Sequence, residues 1–352
     1  MEFSLFYFAA GQRSGDDGYR LLLDGARFAD RHGFSAVWTP ERHFHEFGGP
    51  YPNPAVTGAA VAAVTERVDV RAGSVVGPLH HPVRIAEEWA VVDNLSRGRA
   101  GLAFASGWHA EDFALRPENY AGRKQVLTET IETVRGLWRG ESVRLTDGED
   151  KETTVRSFPA PVRPHLPVWL TSAGSADTFR HAGAQGYGVL THLLGQELGE
   201  LEKKIAEYRA ALPAATPENP AAGKVALMLH TFVGTDREAV RERVREPFSA
   251  YIRSSLGLIM KAAGDILPGV EPDDLDPEDL DFLVEHSFSK YFDTGGLFGT
   301  VEDLIPLLER IEAAGVDEVA CLIDFGVDDD AVLDSLTHLG RLREAWTARS
   351  AR

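Results

Sequence analysis

Three times in this chain a helical pattern runs into a glycine and straight on into an apolar stretch. The joints are His32-Gly33-Phe34-Ser35-Ala36-Val37, Gln185-Gly186-Tyr187-Gly188-Val189 and Ala314-Gly315-Val316-Asp317-Glu318-Val319. Glycine adopts the left-handed conformation that ends a helix, and the chain then enters a strand with no spacer. Strands that alternate with helices in this way lie parallel in one sheet. The same alternation runs through the whole sequence. Glu2–Phe8, Phe34–Trp38, Val68–Val76, Ala100–Ala105, Val168–Thr171, Gly188–Leu190, Val225–Val233 and Val316–Ile323 read as strands. Asp17–His32, Asn53–Thr65, Val83–Leu95, Ala121–Trp138 and Ala331–Ala348 read as helices; Leu22, Leu23, Ala26 and Ala29 share a face of the first, and Pro54 suits the opening turn of the second. Eight such units predict a (β/α)8 TIM barrel, taken as a single domain over residues 1–352. A doubly wound sheet is the other architecture, but it gives no reason for eight strands.

Two segments break the rhythm. Residues 140–167, before the fifth strand, are polar, with Asp147-Gly148 as a hairpin turn between Val143–Leu145 and Thr153–Val155. Residues 260–299, before the eighth, hold an acidic stretch, Glu271–Asp276, and a helix, Pro277–Phe292, capped by Asp276. An insertion there is either a lid over the strand ends or a solvated decoration.

Composition narrows the function. Lys and Arg number 36 and Asp and Glu 54, a formal charge of −18, with no basic run, so nucleic acid is an improbable partner. The single cysteine, Cys321, excludes an internal disulfide and suits a cytoplasmic protein. Phe3–Ala10 is apolar but follows Glu2 without a basic leader, so it reads as a strand and not a signal peptide. No apolar run reaches the ~18 residues of a membrane span.

In such a barrel chemistry sits at the C-terminal ends of the strands. Those ends carry Pro40–Gly49, Gly77–Pro82, Ser106–Phe113, Ser172–Thr178 and Thr191-His192, and His230 lies within the seventh strand. His43-Phe44-His45, with His80, His81, His109, His192 and His230 in reserve, admits a metal centre; the Lys, His, His, Asp series of a barrel metallohydrolase is missing, and no metal is expected. Ser172–Thr178 follows a strand and opens a helix. Gly174, Ser175, Thr178 and free backbone N–H groups there suit a phosphate, although Ser175 also reads as an ordinary cap.

Taken together these loops resemble the bacterial luciferase-like family of flavin-dependent monooxygenases. The resemblance covers nearly the whole chain and is carried by Glu41–Gly48 with Asn53-Pro54, His81-Pro82-Val83-Arg84, Leu95-Ser96-Arg97-Gly98-Arg99, Ser106–Phe113 and Gly299-Thr300-Val301-Glu302-Asp303. Arg42 and Ser106–His109 are most similar to a subgroup of natural-product pathways, found alone or within polyketide and peptide synthetases. The resemblance implies a barrel that binds reduced FMN. Gly73 and Ser74 match the position against the flavin ring, where the family often has a non-proline cis peptide. Ser106 and Gly107 match the flavin position on the fourth strand, without luciferase's arginine to the phosphate. Gly174, Ser175 and Thr178 match the phosphate loop, with Gly174 in place of a glutamate. Arg42 stands where luciferase has its catalytic histidine, and His43 matches the second histidine of that pair, so His43, His45 and His109 become the acid–base candidates and Arg42 an anion stabiliser.

The resemblance further implies a two-component monooxygenase. FMNH2 arrives from a separate flavin reductase, since no Gly-x-Gly-x-x-Gly fingerprint follows a strand. Oxygen passes through a flavin C4a-peroxide to a small or carrier-protein-tethered biosynthetic intermediate. A deazaflavin-dependent oxidoreductase and a non-catalytic flavin-fold subunit are the alternatives. The resemblance also implies a homodimer through Asn53–Thr65, where the family pairs its subunits; Ala55, Gly58, Ala59, Ala60, Ala62 and Ala63 allow close helix approach, either to a partner or to the chain's own barrel.

Overall fold

The computed structural model describes residues 1–8, 18–46, 48–193, 195–214, 218–262 and 276–350. Phe47 in the Glu41–Gly48 motif and most of the acidic stretch Glu271–Asp276 lie outside the described residues. The order is β1 (Glu2–Phe6), α1 (Arg20–Arg31), β2 (Ala36–Thr39), α2 (Pro54–Val64), β3 (Asp69–Val76), α3 (Pro82–Ser96), β4 (Ala100–Ala105) and α4 (Arg123–Trp138). There follow β5 (Val143–Thr146), β6 (Glu152–Val155), β7 (Val168–Ser172), α5 (Ala176–Ala184), β8 (Gly188–His192), α6 (Leu198–Ala210) and β9 (Val225–Val233). The chain ends with α7 (Arg237–Ala262), α8 (Pro277–Lys290), β10 (Leu297–Gly299), α9 (Val301–Ala313), β11 (Glu318–Leu322) and α10 (Asp329–Ser350).

β1, β2, β3, β4, β7, β8, β9 and β11 pair in parallel, and β11 returns to β1, closing the expected eight-stranded barrel. The three glycine joints do what their positions require: Gly33, Gly186 and Gly315 have φ of 73°, 66° and 94°. Strand burial follows the same logic, since β9 is buried at every position, as a strand with barrel on one side and helices on the other must be. On α1 the inward residues are Leu21, Leu22, Gly25, Ala26 and Ala29, so the stripe takes Leu21 where the periodicity suggested Leu23.

The floor of the barrel is polar. Arg71 on β3 donates to Glu318 on β11 (2.7 Å) and to Asp69 (3.0 Å), and its guanidinium lies 5.0 Å and 4.7 Å from the rings of Trp38 and Trp169. Glu318 also accepts from Ser4 Oγ (2.5 Å) and Trp38 Nε1 (3.0 Å). Burial pushes the Glu318 carboxyl up, but Arg71 and these donors hold it below its ordinary value.

The first interruption, and the second from Asp276 onward, are described. β5 and β6 make the predicted hairpin, though the turn is wider than Asp147-Gly148: Asp147 N–H donates to Lys151 O (2.9 Å), and the positive φ falls on Asp150. In the second interruption, α8 is docked from Asp276 onward. Its Val284 and Phe288 are buried, Phe288 lies 6.4 Å from Phe248 of α7, and Arg245–Glu285 pairs the two helices at 2.9 Å. Tyr291 Oη donates to Leu193 O at 3.0 Å, and Phe292 is buried. The described part of this segment is packed against α7 and the loop after β8. β10, which the sequence did not suggest, pairs with Thr231–Val233 of β9.

Candidate active site

At the C-terminal end of β2 the chain turns inward, and Glu41 is buried. Its Oε1 accepts from His43 Nε2 (2.9 Å) and His80 Nε2 (2.6 Å), and its Oε2 accepts from the Val76 N–H (2.9 Å). Burial pushes this carboxyl up, but the two imidazoles and the Val76 amide hold it below its ordinary value; burial pushes His80 down, and Glu41 outweighs that and raises it.

Beside this cluster lies a second. Arg42 is 4% exposed and donates through Nη1 to Asp112 Oδ2 at 3.0 Å, with Trp108 5.5 Å from its guanidinium. His109 Nδ1 is 3.7 Å from Asp112 Oδ1, beyond hydrogen-bond range. Arg42 Nε and Nη2, His109 Nδ1 and Asp112 Oδ1 are all buried without a hydrogen-bond partner. Burial dominates the charges here. It lowers Arg42, raises Asp112 against the pull of Arg42, and together with the Arg42 charge lowers His109. Unpartnered buried polar atoms cost about 1–3 kcal/mol each, and four of them lie in this one cluster.

The residues expected at a flavin ring and at a phosphate lie on or just after β3, β4 and β7. The Gly73–Ser74 peptide is cis, and Ser74 Oγ meets Thr171 Oγ1 of β7 at 2.5 Å. Ser106 and Gly107 follow β4. Gly107 has φ of 72°, and a Cβ on it would lie 2.8 Å from Phe113 and 2.9 Å from Val76, so only glycine fits. In the 172–178 loop the Gly174 N–H is already used by Ser172 Oγ (3.3 Å), and Ser175 Oγ caps Thr178 N–H (3.4 Å). What the sequence did not reveal is Lys204 of α6. Its Nζ donates to Gln196 Oε1 (2.9 Å), and both atoms crowd the position of a Gly174 Cβ, at 3.4 Å and 3.3 Å. A lysine, a helix N-terminus and a loop with φ of 116° at Gly174 together fit a phosphate.

The histidines expected at the rim separate. His45 is exposed. His81 caps α3, accepting from Val83 N–H at 3.3 Å. His230 is enclosed by Tyr251 (4.4 Å), Phe248 (4.7 Å) and Phe325 (5.8 Å), where burial drives it down to about 3. Among the described residues only Glu41, His43 and His80 bring three ligand-type atoms within 4.8 Å of one another, and their separations are those of hydrogen bonds. Glu41, His80 and Asp112 stand beside the residues expected from sequence. Glu41 and Asp112 were visible in the motifs, but their partners were not.

The sequence profile described as luciferase-like monooxygenase matches residues 1–325. The oxygenase component of flavin-dependent trigonelline monooxygenase from Acinetobacter baylyi is 28% identical, over 96% of this chain and 93% of that protein. Monooxygenase RslO1 from Streptomyces bottropensis shares the fold with a TM-score of 0.76 at 21% identity, over 97% of this chain and 98% of the other. The FMN-bound oxygenating constituent of 3,6-diketocamphane monooxygenase from Pseudomonas putida does so with 0.73 at 18%, over 97% of each chain. No described helix is long and apolar enough to cross a membrane.

Proposed function

Because this chain belongs to the luciferase-like monooxygenase family, we propose that it is the FMN-dependent oxygenase component of a two-component system that places one oxygen atom on a small biosynthetic intermediate, free or carrier-tethered. The observation that carries the reading is the set of unpartnered atoms of Arg42, His109 and Asp112 on the loops that follow β2 and β4. Reduced FMN, when bound, supplies the electrons that activate O2. The 172–178 loop and Lys204 would hold its phosphate, and Ser74 and Thr171 would border its ring. Arg42 offers Nε and Nη2 to an oxygen that bears negative charge, and its burial strengthens that contact. Phe113 is buried against Gly107, and the half-exposed Trp108 ring lies beside the Arg42 guanidinium. A trigonelline oxygenase component as relative supports a separate reductase, and an FMN-bound structural neighbour supports FMN. The natural-product setting rests on Arg42 and Ser106–His109.

The test is binding and turnover with chemically reduced cofactors. Reduced FMN should bind, consume O2 and, with the right substrate and 18O2, leave one labelled oxygen in the product. Tight binding of a reduced deazaflavin with hydride transfer and no O2 use would overturn the reading. Binding without any turnover would make the chain a supporting subunit.

A further inference from the structure

Arg42 occupies the place at which a histidine base is expected, so the group that exchanges protons at the mouth must be sought elsewhere. Glu41 spends both carboxylate oxygens inside the protein, on His43, His80 and the Val76 amide. An ionised carboxylate only accepts hydrogen bonds. Each imidazole must therefore donate through Nε2–H, and in its neutral form the basic atom is Nδ1. Among the described residues neither Nδ1 has a hydrogen-bond partner, and neither is fully buried. The side chains of His43 and His80 are 12% and 24% exposed, while that of Glu41 is 0% exposed. A sealed carboxylate thus holds two imidazoles by their inner nitrogens and leaves their outer nitrogens within reach of a ligand.

We propose that Glu41 is a positioning residue that fixes His43 and His80 as Nε2–H imidazoles, so that their two Nδ1 atoms are where this enzyme takes up and returns protons. The purpose of those protons rests on the oxygenase reading; the tautomers do not. The charges that face the pair are Glu41 itself, Glu88 of α3 and Arg116 around His80, and Asp112, with its partner Arg42, beside His43. Glu41 and Glu88 favour a charged His80, and Arg116 opposes it.

The experiment uses the flavin-free protein with 15N-labelled histidine, assigned with His43→Asn and His80→Asn. In the wild type, long-range proton–nitrogen spectra above the titration midpoints should show the Nε2–H form for both residues. In Glu41→Gln the His80 midpoint should fall by about 1–3 pH units, the effect of losing an adjacent opposite charge. His80→Asn should leave His43 in the Nε2–H form. With reduced FMN and no organic substrate, the pH profile of O2 consumption should shift in Glu41→Gln in the same direction as the midpoint. An Nδ1–H form in the wild type, an unmoved midpoint in folded Glu41→Gln, or one zinc per chain that is lost in His80→Asn would each overturn the proposal. An unmoved O2 profile would overturn its proton-exchange role. If Glu41→Gln does not fold, the wild-type tautomers decide. Failure of the oxygenase reading itself would be seen separately, as no binding of FMN.

Discussion

Replacing Asp112 by leucine isolates what the buried Arg42–Asp112 pair does. The variant deletes the 3.0 Å hydrogen bond to Nη1 and leaves a guanidinium that is 4% exposed with only the more distant charge of Glu111 to oppose it. Stranding one member of a buried pair costs about 3–5 kcal/mol. Arg42 already has Nε and Nη2 unpartnered, so the loss should fall at the upper end of that range. Arg42→Met with Asp112→Leu removes both charges, and such exchanges range from neutral to about 1–4 kcal/mol more stable than the pair. The double variant should therefore recover most of what the single loses. Urea unfolding of the flavin-free protein measures this, with the transition midpoints of the two single variants and the double as the cycle. Equality of the double with the sum of the singles, within about 0.5 kcal/mol, would refute the coupling. A pH series adds a second check. Burial raises Asp112 against Arg42's pull, so the fold favours the protonated acid. Its stabilising contribution is fully present below the ordinary value of 3.8 and is lost as pH rises through the raised folded value. Asp112→Asn should abolish that slope. The double variant, folded but without the guanidinium, should fail in turnover, which separates the residue's catalytic use from its structural one.

Lys204→Met should weaken FMN by about 10- to 100-fold, the loss of a charged hydrogen bond of roughly 1.5–3 kcal/mol, and leave riboflavin unaffected in the same fluorescence titration. His230→Phe should flatten the acid limb of the stability curve: the folded imidazole, down at about 3, stays neutral while the unfolded one protonates near 6.5, so wild-type stability falls by about 1.4 kcal/mol per pH unit below that point, and an unchanged limb in calorimetry would argue against it. For assembly, Ala55, Gly58 and Ala62 face the chain's own barrel, whereas Val56, Val91 and Leu95 are 67%, 44% and 51% exposed on α2 and α3. Light scattering should give a dimer for the wild type and a monomer for Val56→Glu with Leu95→Glu; a monomeric wild type would exclude this surface.

Much of the barrel was legible because its rules are local. Gly33, Gly186 and Gly315 each solve a backbone problem within a few residues, and β9 announces itself by the apolar run Val225–Leu229. The polar partnerships were not legible, because barrel closure decides them. Asp112 meets Arg42 across 70 residues and His80 meets Glu41 across 39, and only the register of β2, β3 and β4 brings them side by side. Lys204 belongs to an ordinary amphipathic helix and becomes relevant only through the packing of α6 beside the loop after β7. The docking of α8 was hidden for the opposite reason: Val284, Phe288 and Phe292 sit in an acidic, polar context that reads as surface until α7 covers them.

The floor of the barrel also bears on how the protein can be made. Arg71 waits for Glu318, 247 residues later, and Ser4 and Trp38 wait for the same carboxylate. During synthesis, every strand through β9 can leave the ribosome while this guanidinium still lacks its principal counterion. A chain stalled before β11 leaves Arg71 with Asp69 alone and without the strand that closes the barrel over it. The last strand thus delivers two things at once, the pairing that closes the sheet on β1 and the carboxylate that completes the charge balance beneath it.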